Sequence, residues 1–373
     1  MPKIIHVQDV EKFDDVVGES VSILRRGGLL ILPTETVYGI AALASNEDAL
    51  QRLLLLKGRR EGHAVPLAIS GYEVLTEYIP MPGVLGQRLA RRCWPGPLTL
   101  VFDGTATESQ LVKYTPFIQK TIMPSGTVGL RTPNCPITLD ILNELNEPIV
   151  LTSANVTGDA PAISAEEAMK KLDGRIDLVI DAGEPDFKKP STVVRVEMDS
   201  VEILREGAIT SATIEKLTAK IILFVCTGNT CRSPMAEILC EKLLAERLQS
   251  SPDELEDHGY VILSAGISAS PFARANPMAQ EVAKRYDMNL AAHESQQLTE
   301  TLVRFADRIF VMSRGHREAI LSNWPNVDTR LHVLRPDGGD IPDPIGGNYE
   351  VYQQCAAEIE YSIRAQLDLI AGI

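Results

Sequence analysis

At 373 residues the chain is too long for one ordinary core, so two domains are expected. Hydrophobic content of 45% with 23% charged residues fits a folded globular protein. The formal net charge of −14 argues against a large basic surface for non-specific nucleic-acid binding. Six cysteines without a CxxC pair argue against structural zinc and a secreted disulfide framework. The start, MPKIIHVQDVEKFDD, lacks the apolar core of a targeting segment, and the apolar runs are too short to cross a bilayer. A soluble, cytoplasmic chain without membrane contact is the expectation.

In chain order, GGLLIL, PLTLVF, TVGLRT, PIVLTSA, DLVIDA and STVVRV read as strands of the first half. NEDALQRLLLLKGRR and SAEEAMKKL read as helices, the second with a serine ahead of acidic first-turn residues, a capping pattern. TSATIEKLTAK then reads as a short helix or linker, so the expected domains are 1–208 and 220–373, with 209–219 between them. In the second half IILFV, VILSAG, RIFVMS and LHVLRP read as strands separated by helical segments, with a last helix from about Glu350. Both halves are therefore α/β: first a twisted sheet with helices, then a small doubly wound parallel sheet. They share no motif, which makes the chain a fusion and not a repeat.

The first half contains neither GxxxxGK[ST] nor GxGxxG, so neither common nucleotide loop is present. It does place hydroxyl and basic residues at expected strand or helix ends: Thr34 and Thr36, Lys57 and Arg59, Thr127 and Arg131, Ser153 and Asn155, Ser191, and Arg205. Strand ends at one edge of an α/β sheet converge on a crevice, and such a lining suits a polyanion such as a nucleoside triphosphate. Singly, each residue has a plainer reading: KGRR as a solvated helix end, the hydroxyls as turn formers, His63 as a surface loop residue.

Taken in order, PTETVYG, KxR, PGPLT, SxN and STVV resemble the Sua5/YrdC/YciO family of threonylcarbamoyl-AMP synthases, over roughly residues 1–208. The resemblance implies that L-threonine, bicarbonate and ATP, the last accompanied by Mg2+, give L-threonylcarbamoyladenylate and pyrophosphate. Other proteins would then pass the threonylcarbamoyl group to adenosine 37 of tRNA. It further implies that Lys57, Arg59, Thr127, Ser153, Asn155 and Arg205 hold ATP, and that Thr34, His63, Arg131 and Ser191 hold threonine or its carbamate. A competing reading, an RNA-binding module, sits poorly with the acidic total and with an aromatic content of 5%.

In the second half, FVCTGNTCRSPMAE joins a buried strand to a helix with Pro234 in its first turn. Backbone N–H groups and the helix dipole make such a loop an anion site, and Arg232 adds a fork matched to two phosphate oxygens. A thiol in that field, Cys226, is poised to react as the thiolate. Cys240 and Cys355, within helical patterns, read as core residues. DIPDPIGGNYEVY supplies Asp343 as a candidate acid, although Asp-Pro alone reads as a turn.

Residues from about 220 to 373 resemble the low-molecular-weight protein-tyrosine phosphatase family. The resemblance implies attack by Cys226 on phosphorus to give a cysteinyl-phosphate, with no cofactor. Arg232 and a phosphate-binding loop of Thr227, Gly228, Asn229, Thr230 and Cys231 would hold the phosphoryl oxygens. Ser233 would hydrogen-bond the sulfur, Asp343 would serve as acid and then base, and Asn229 and Ser264 would brace the loop. Cys231 would be able to close a protective disulfide with Cys226. Thr230, where tyrosine-directed members carry a branched aliphatic residue, and DPIGG, without aromatics, are more similar to the bacterial branch that includes protein-arginine phosphatases. The expected substrates are phosphorylated proteins, with phosphoarginine ahead of phosphotyrosine; a purely regulatory second domain is a further alternative.

Overall fold

A computed structural model describes residues 2–9, 12–58, 64–172 and 175–372. They divide into two compact units, Met1–Leu217 and Thr218–Ile373. Most of the segment expected as a linker packs with the first unit, because Ser211–Thr218 is a helix that buries Ile214 in that unit's core. Among the described residues no helix is long and apolar enough to cross a membrane.

The first unit is built on strands β1 (Lys3–His6), β2 (Leu30–Leu32), β3 (Gly39–Leu43), β4 (Leu67–Ala68), β5 (Leu98–Asp103), β6 (Thr127–Arg131), β7 (Ile149–Ser153), β8 (Leu178–Asp181), β9 (Thr192–Val196) and β10 (Val201–Arg205). They form one ten-stranded sheet in the order β1-β8-β2-β3-β7-β4-β6-β5-β9-β10. Its directions are mixed: β5 runs parallel to β9 and antiparallel to β6, and β3 runs antiparallel to both β2 and β7.

Alternation along each strand decides what faces what. Leu98, Leu100 and Phe102 of β5, Val128 and Leu130 of β6, and Val194 of β9 enter the larger core on one face. On the other face, helices Phe13–Arg25 and Pro136–Leu145 cover β2, β3 and β8 through Val17, Leu24, Ile137 and Ile141. Beyond those helices the intervening residues, Thr99, Val101, Thr127, Gly129, Arg131, Val193 and Arg195, line an open cavity. The expected crevice does form: the strand-end residues Arg131, Ser153 and Arg205 line it together with these sheet-face residues.

The second unit holds β11 (Lys220–Cys226), β12 (Tyr260–Gly266), β13 (Arg308–Val311) and β14 (Leu331–Val333), all parallel, in the order β12-β11-β13-β14. Ile222 and Phe224 of β11 pack on one face with helices Arg232–Leu248 and Tyr349–Ala365, and Leu223 and Val225 on the other with helices Glu300–Phe305 and Arg314–Asn323. Strand order reverses between β11 and β13, and a doubly wound sheet opens its ligand crevice at the carboxyl ends of such strands. Cys226 is the last residue of β11, so the topology places the thiol at that crevice.

Candidate active sites

The second unit's site is built outward from the β11 terminus. The chain turns through Asn229, at φ +55, before helix Arg232–Leu248 begins. That left-handed turn brings the Asn229 N–H to 3.2 Å from Cys226 Sγ, and the Ser233 hydroxyl lies 3.0 Å from the same sulfur. Asn229 is held in turn: its Nδ2 donates to Ser233 Oγ at 2.9 Å and to Ser264 Oγ at 2.8 Å, and its Oδ1 accepts from the Gln296 N–H at 2.9 Å. The turn's tightness also requires Gly266, since a Cβ there would lie 2.5 Å from the Thr227 carbonyl oxygen and 2.9 Å from the Asn229 nitrogen.

Asp343 arrives from a remote part of the chain. Its carboxylate pairs with Arg232 Nη2, while Arg232 Nη1 donates to the Ile341 carbonyl at 3.2 Å. The Arg232 side chain is 8% exposed and that of Asp343 is 41% exposed, so the carboxylate sits at the mouth and the guanidinium below it. The structure thus gathers Cys226, Arg232, Ser233, Asn229, Ser264 and Asp343 into one site. The Thr230 hydroxyl lies 3.7 Å from Cys231 Sγ, and its carbonyl accepts from the Asn276 N–H at 2.8 Å. Cys231 lies 3.3 Å from the Tyr352 hydroxyl, and burial pushes its thiol up. Burial also pushes Cys355 up to about 12, in keeping with its place in the core. Cys240 is likewise buried in that core.

Among the groups at this site that escaped sequence reasoning, His316 and Glu237 stand out. His316 places Nε2 2.9 Å from the Thr227 hydroxyl and Nδ1 3.0 Å from Ser313 Oγ. Burial, with the Arg232 charge beside it, pushes His316 down to about 4. A serine three residues ahead of a histidine at an expected helix start was the available signal. Glu237, one turn into the helix, accepts from Ser264 Oγ at 2.5 Å, and burial pushes its carboxyl up to about 7.

The first unit's cavity encloses about 520 Å³ and brings together Thr34, Thr36, Thr127, Arg131, Ser153, Asn155, Ser191 and Arg205. Arg131 pairs with buried Glu35 at 2.8 Å and donates to Thr36 Oγ1 at 2.9 Å. Arg205 donates to the Ser191 carbonyl at 2.8 Å, and the Ser191 hydroxyl bonds Thr99 Oγ1 at 2.9 Å. Burial, and then the neighbouring Arg131 charge, push the Arg205 pKa down, which marks a place where positive charge accumulates. The Asn155 side-chain oxygen is buried and has no hydrogen-bond partner among the described residues.

Lys57 is not among the cavity's walls. It is 1% exposed, and its ammonium donates to the carbonyls of Ser153 at 2.5 Å and Asn155 at 3.0 Å, so it braces the strand end that lines the cavity. Arg59 and His63 lie outside the described residues.

Residues 22–207 match the Sua5/yciO/yrdC family model, described as "Telomere recombination". Residues 221–371 match the model of the low molecular weight phosphotyrosine protein phosphatases. A threonylcarbamoyl-AMP synthase of Bacillus subtilis is 30% identical over 208 residues, 56% of this chain and 58% of that protein. The chain therefore spans little more than half the length of that relative. A protein-arginine-phosphatase of the same organism is 38% identical over 148 residues, 38% of this chain and 91% of that protein. The crystal structure of Pyrococcus abyssi Sua5 complexed with L-threonine superposes with a TM-score of 0.51 at 21% identity, covering 71% of this chain and 92% of that one, a likeness of fold. The chain joins a domain of the Sua5/YrdC/YciO family to a domain of the low-molecular-weight phosphotyrosine protein phosphatase family, and belongs to both.

Proposed function

We propose that the protein is a bifunctional enzyme: the first unit makes L-threonylcarbamoyladenylate and the second removes phosphate from phosphorylated proteins, phosphoarginine above all. The observation that carries the second activity is the group of contacts around Cys226. A backbone N–H and a serine hydroxyl converge on its sulfur, as a thiolate nucleophile and leaving group requires. The sulfur attacks phosphorus, an S–P bond forms, and the bond to the guanidinium nitrogen or phenolic oxygen breaks. Asp343 at the mouth protonates the departing atom, then takes a proton from the water whose oxygen attacks phosphorus; the S–P bond breaks, releasing phosphate and restoring the thiolate.

For the first unit the support is the cavity itself. Its size suits a nucleotide with a small second substrate; Arg205 would supply charge for the triphosphate, and Arg131 would meet threonine or its carbamate. Threonine's amine and bicarbonate form a carbamate with loss of water, and a carbamate oxygen attacks the α-phosphorus of ATP, expelling pyrophosphate. Mg2+ accompanying ATP would share the neutralisation of charge, and catalysis rests on positioning. The Sua5 crystal structure's bound L-threonine supports the amino-acid substrate. The adenylate would pass to a separate transferase acting on tRNA, and the site of action would be the cytoplasm.

The test is a pair of assays on the full chain. Pyrophosphate release should require threonine and bicarbonate together, and a phosphoarginine peptide should be hydrolysed. Release that ignores threonine would remove the first assignment; a phosphopeptide left intact would remove the second.

A further inference from the structure

His316 does not belong to the thiol–arginine–carboxylate set, yet it reaches the phosphate loop from across the crevice. It sits in the first turn of helix Arg314–Asn323, which follows β13 on the far side of the strand-order reversal from Cys226. Ser313 caps that helix, accepting the His316 N–H at 3.2 Å, and the same hydroxyl meets Nδ1 at 3.0 Å. The ring is thereby pinned at one nitrogen while the other meets Thr227 Oγ1 at 2.9 Å. Thr227 Oγ1 in turn faces Arg232 Nη2 at 3.5 Å. The Thr227 main chain is also fixed, because its carbonyl accepts from the Ser268 N–H at 2.9 Å. Thr227 is exposed and His316 is buried, so the histidine supports the threonine from beneath.

We propose that His316 is a positioning residue of the phosphatase site, fixing the Thr227 hydroxyl and, through it, the Arg232 guanidinium for the phosphoryl group; the proposal rests on the phosphatase reading of that site. With Ser313 donating to Nδ1, Nε2–H donates to Thr227 Oγ1, and the threonine's own proton is left for an incoming phosphoryl oxygen. The low pKa keeps the ring neutral at working pH, so it orients the hydroxyl without adding a second cation to repel Arg232. Because the phosphoryl group is held in both the bound substrate and the transition state, losing this support weakens binding more than turnover.

The experiment measures aryl-phosphate hydrolysis by the full chain, with inorganic phosphate as competitive inhibitor. It compares the wild type, His316→Ala, His316→Gln, Thr227→Val and the His316→Ala/Thr227→Val double variant. His316→Ala should raise both KM and the phosphate inhibition constant about tenfold, the scale of one lost hydrogen bond near charge, with kcat within about twofold. His316→Gln, whose amide nitrogen lies near the place of Nε2, should restore most of the loss. In the Thr227→Val background the alanine change should add nothing, since the partner is already gone. Additive losses in the double variant, or a fall in kcat alone without glutamine rescue, would assign His316 a purely structural role and overturn the inference. A wild type without hydrolysis would overturn the phosphatase reading itself and the inference with it.

Discussion

On the proposed reading of the phosphatase site, Thr230 is the residue on which substrate choice would turn. Its hydroxyl lies beside Cys231 Sγ and 3.7 Å from the point where a Cβ on Gly228 would stand, so it faces over the loop and not into a core. A hydroxyl there can meet a guanidinium nitrogen, whereas an isoleucine presents only an apolar wall suited to a phenol ring. The wild type is therefore expected to favour phosphoarginine over phosphotyrosine in otherwise matched peptides, and Thr230→Ile to reverse the order, with a change in the kcat/KM ratio of at least about tenfold. Steady-state kinetics on the two peptides check this; an unchanged ratio would relieve Thr230 of the role. The loop residues were legible because the strand, the anion-binding turn and the arginine follow one another directly in the chain. His316 was not, because its contact with Thr227 joins residues 89 positions apart. Lys57 was legible as a cation near the site, but its burial under the Ser153 and Asn155 carbonyls depends on how β7 ends against the helix Glu47–Leu56.

At the scale of elements, the phosphate loop is shaped by the strand beside it. Cys226 pairs in register with Gly266 of β12, and the loop's backbone crosses close over that glycine. Gly266→Ala should displace Thr227 and Asn229 and lower phosphatase kcat/KM roughly a hundredfold, the cost of misplacing a reacting group by about an ångström. Pyrophosphate formation in the same protein should be unchanged, because the first unit has its own core. The helix Arg232–Leu248 carries a second consequence. Burial pushes Glu237 and Glu241 each up to about 7 from an ordinary 4.5. A carboxyl whose folded pKa is raised contributes stability that is complete below its unfolded value and is lost as pH rises through the folded one. The second unit should thus lose stability between about pH 4.5 and pH 7 on account of these groups, and Glu237→Gln should make the decline shallower. Urea midpoints across that range, compared between wild type and variant, provide the check; parallel slopes would contradict it.

Most strands of both sheets could be read from their apolar runs, and the unread ones share physical reasons. In β3, GIAAL is buried at every position but built from glycine and alanine, so it lacks the β-branched signal. β4 is a two-residue bridge, and β1 and β10 are largely exposed at the two edges of the sheet. The part of the cavity wall formed by the sheet face was unread for another reason. The alternation of Leu98, Leu100 and Phe102 with Thr99 and Val101 looks like any half-exposed strand until the sheet order shows which face the helices leave bare.

For the molecule as a whole, two units with separate cores each gather groups suited to one of the proposed reactions. The first gathers its arginines and hydroxyls over a sheet face, and the second gathers its thiol, arginine and carboxylate at the end of a parallel sheet. Among the described residues, the groups named for each reaction come from a single unit, so each activity is expected to survive loss of the other. Reciprocal single substitutions in the full chain test it most directly, with both activities measured on every protein. Cys226→Ser should abolish phosphopeptide hydrolysis and leave threonine- and bicarbonate-dependent pyrophosphate release within about twofold of wild type, because a serine hydroxyl is not ionised near neutral pH. Arg205→Ala should do the converse, removing most pyrophosphate release while hydrolysis continues. If either substitution removed both activities from a protein that remains folded, the account of two self-sufficient active sites on one chain would be contradicted.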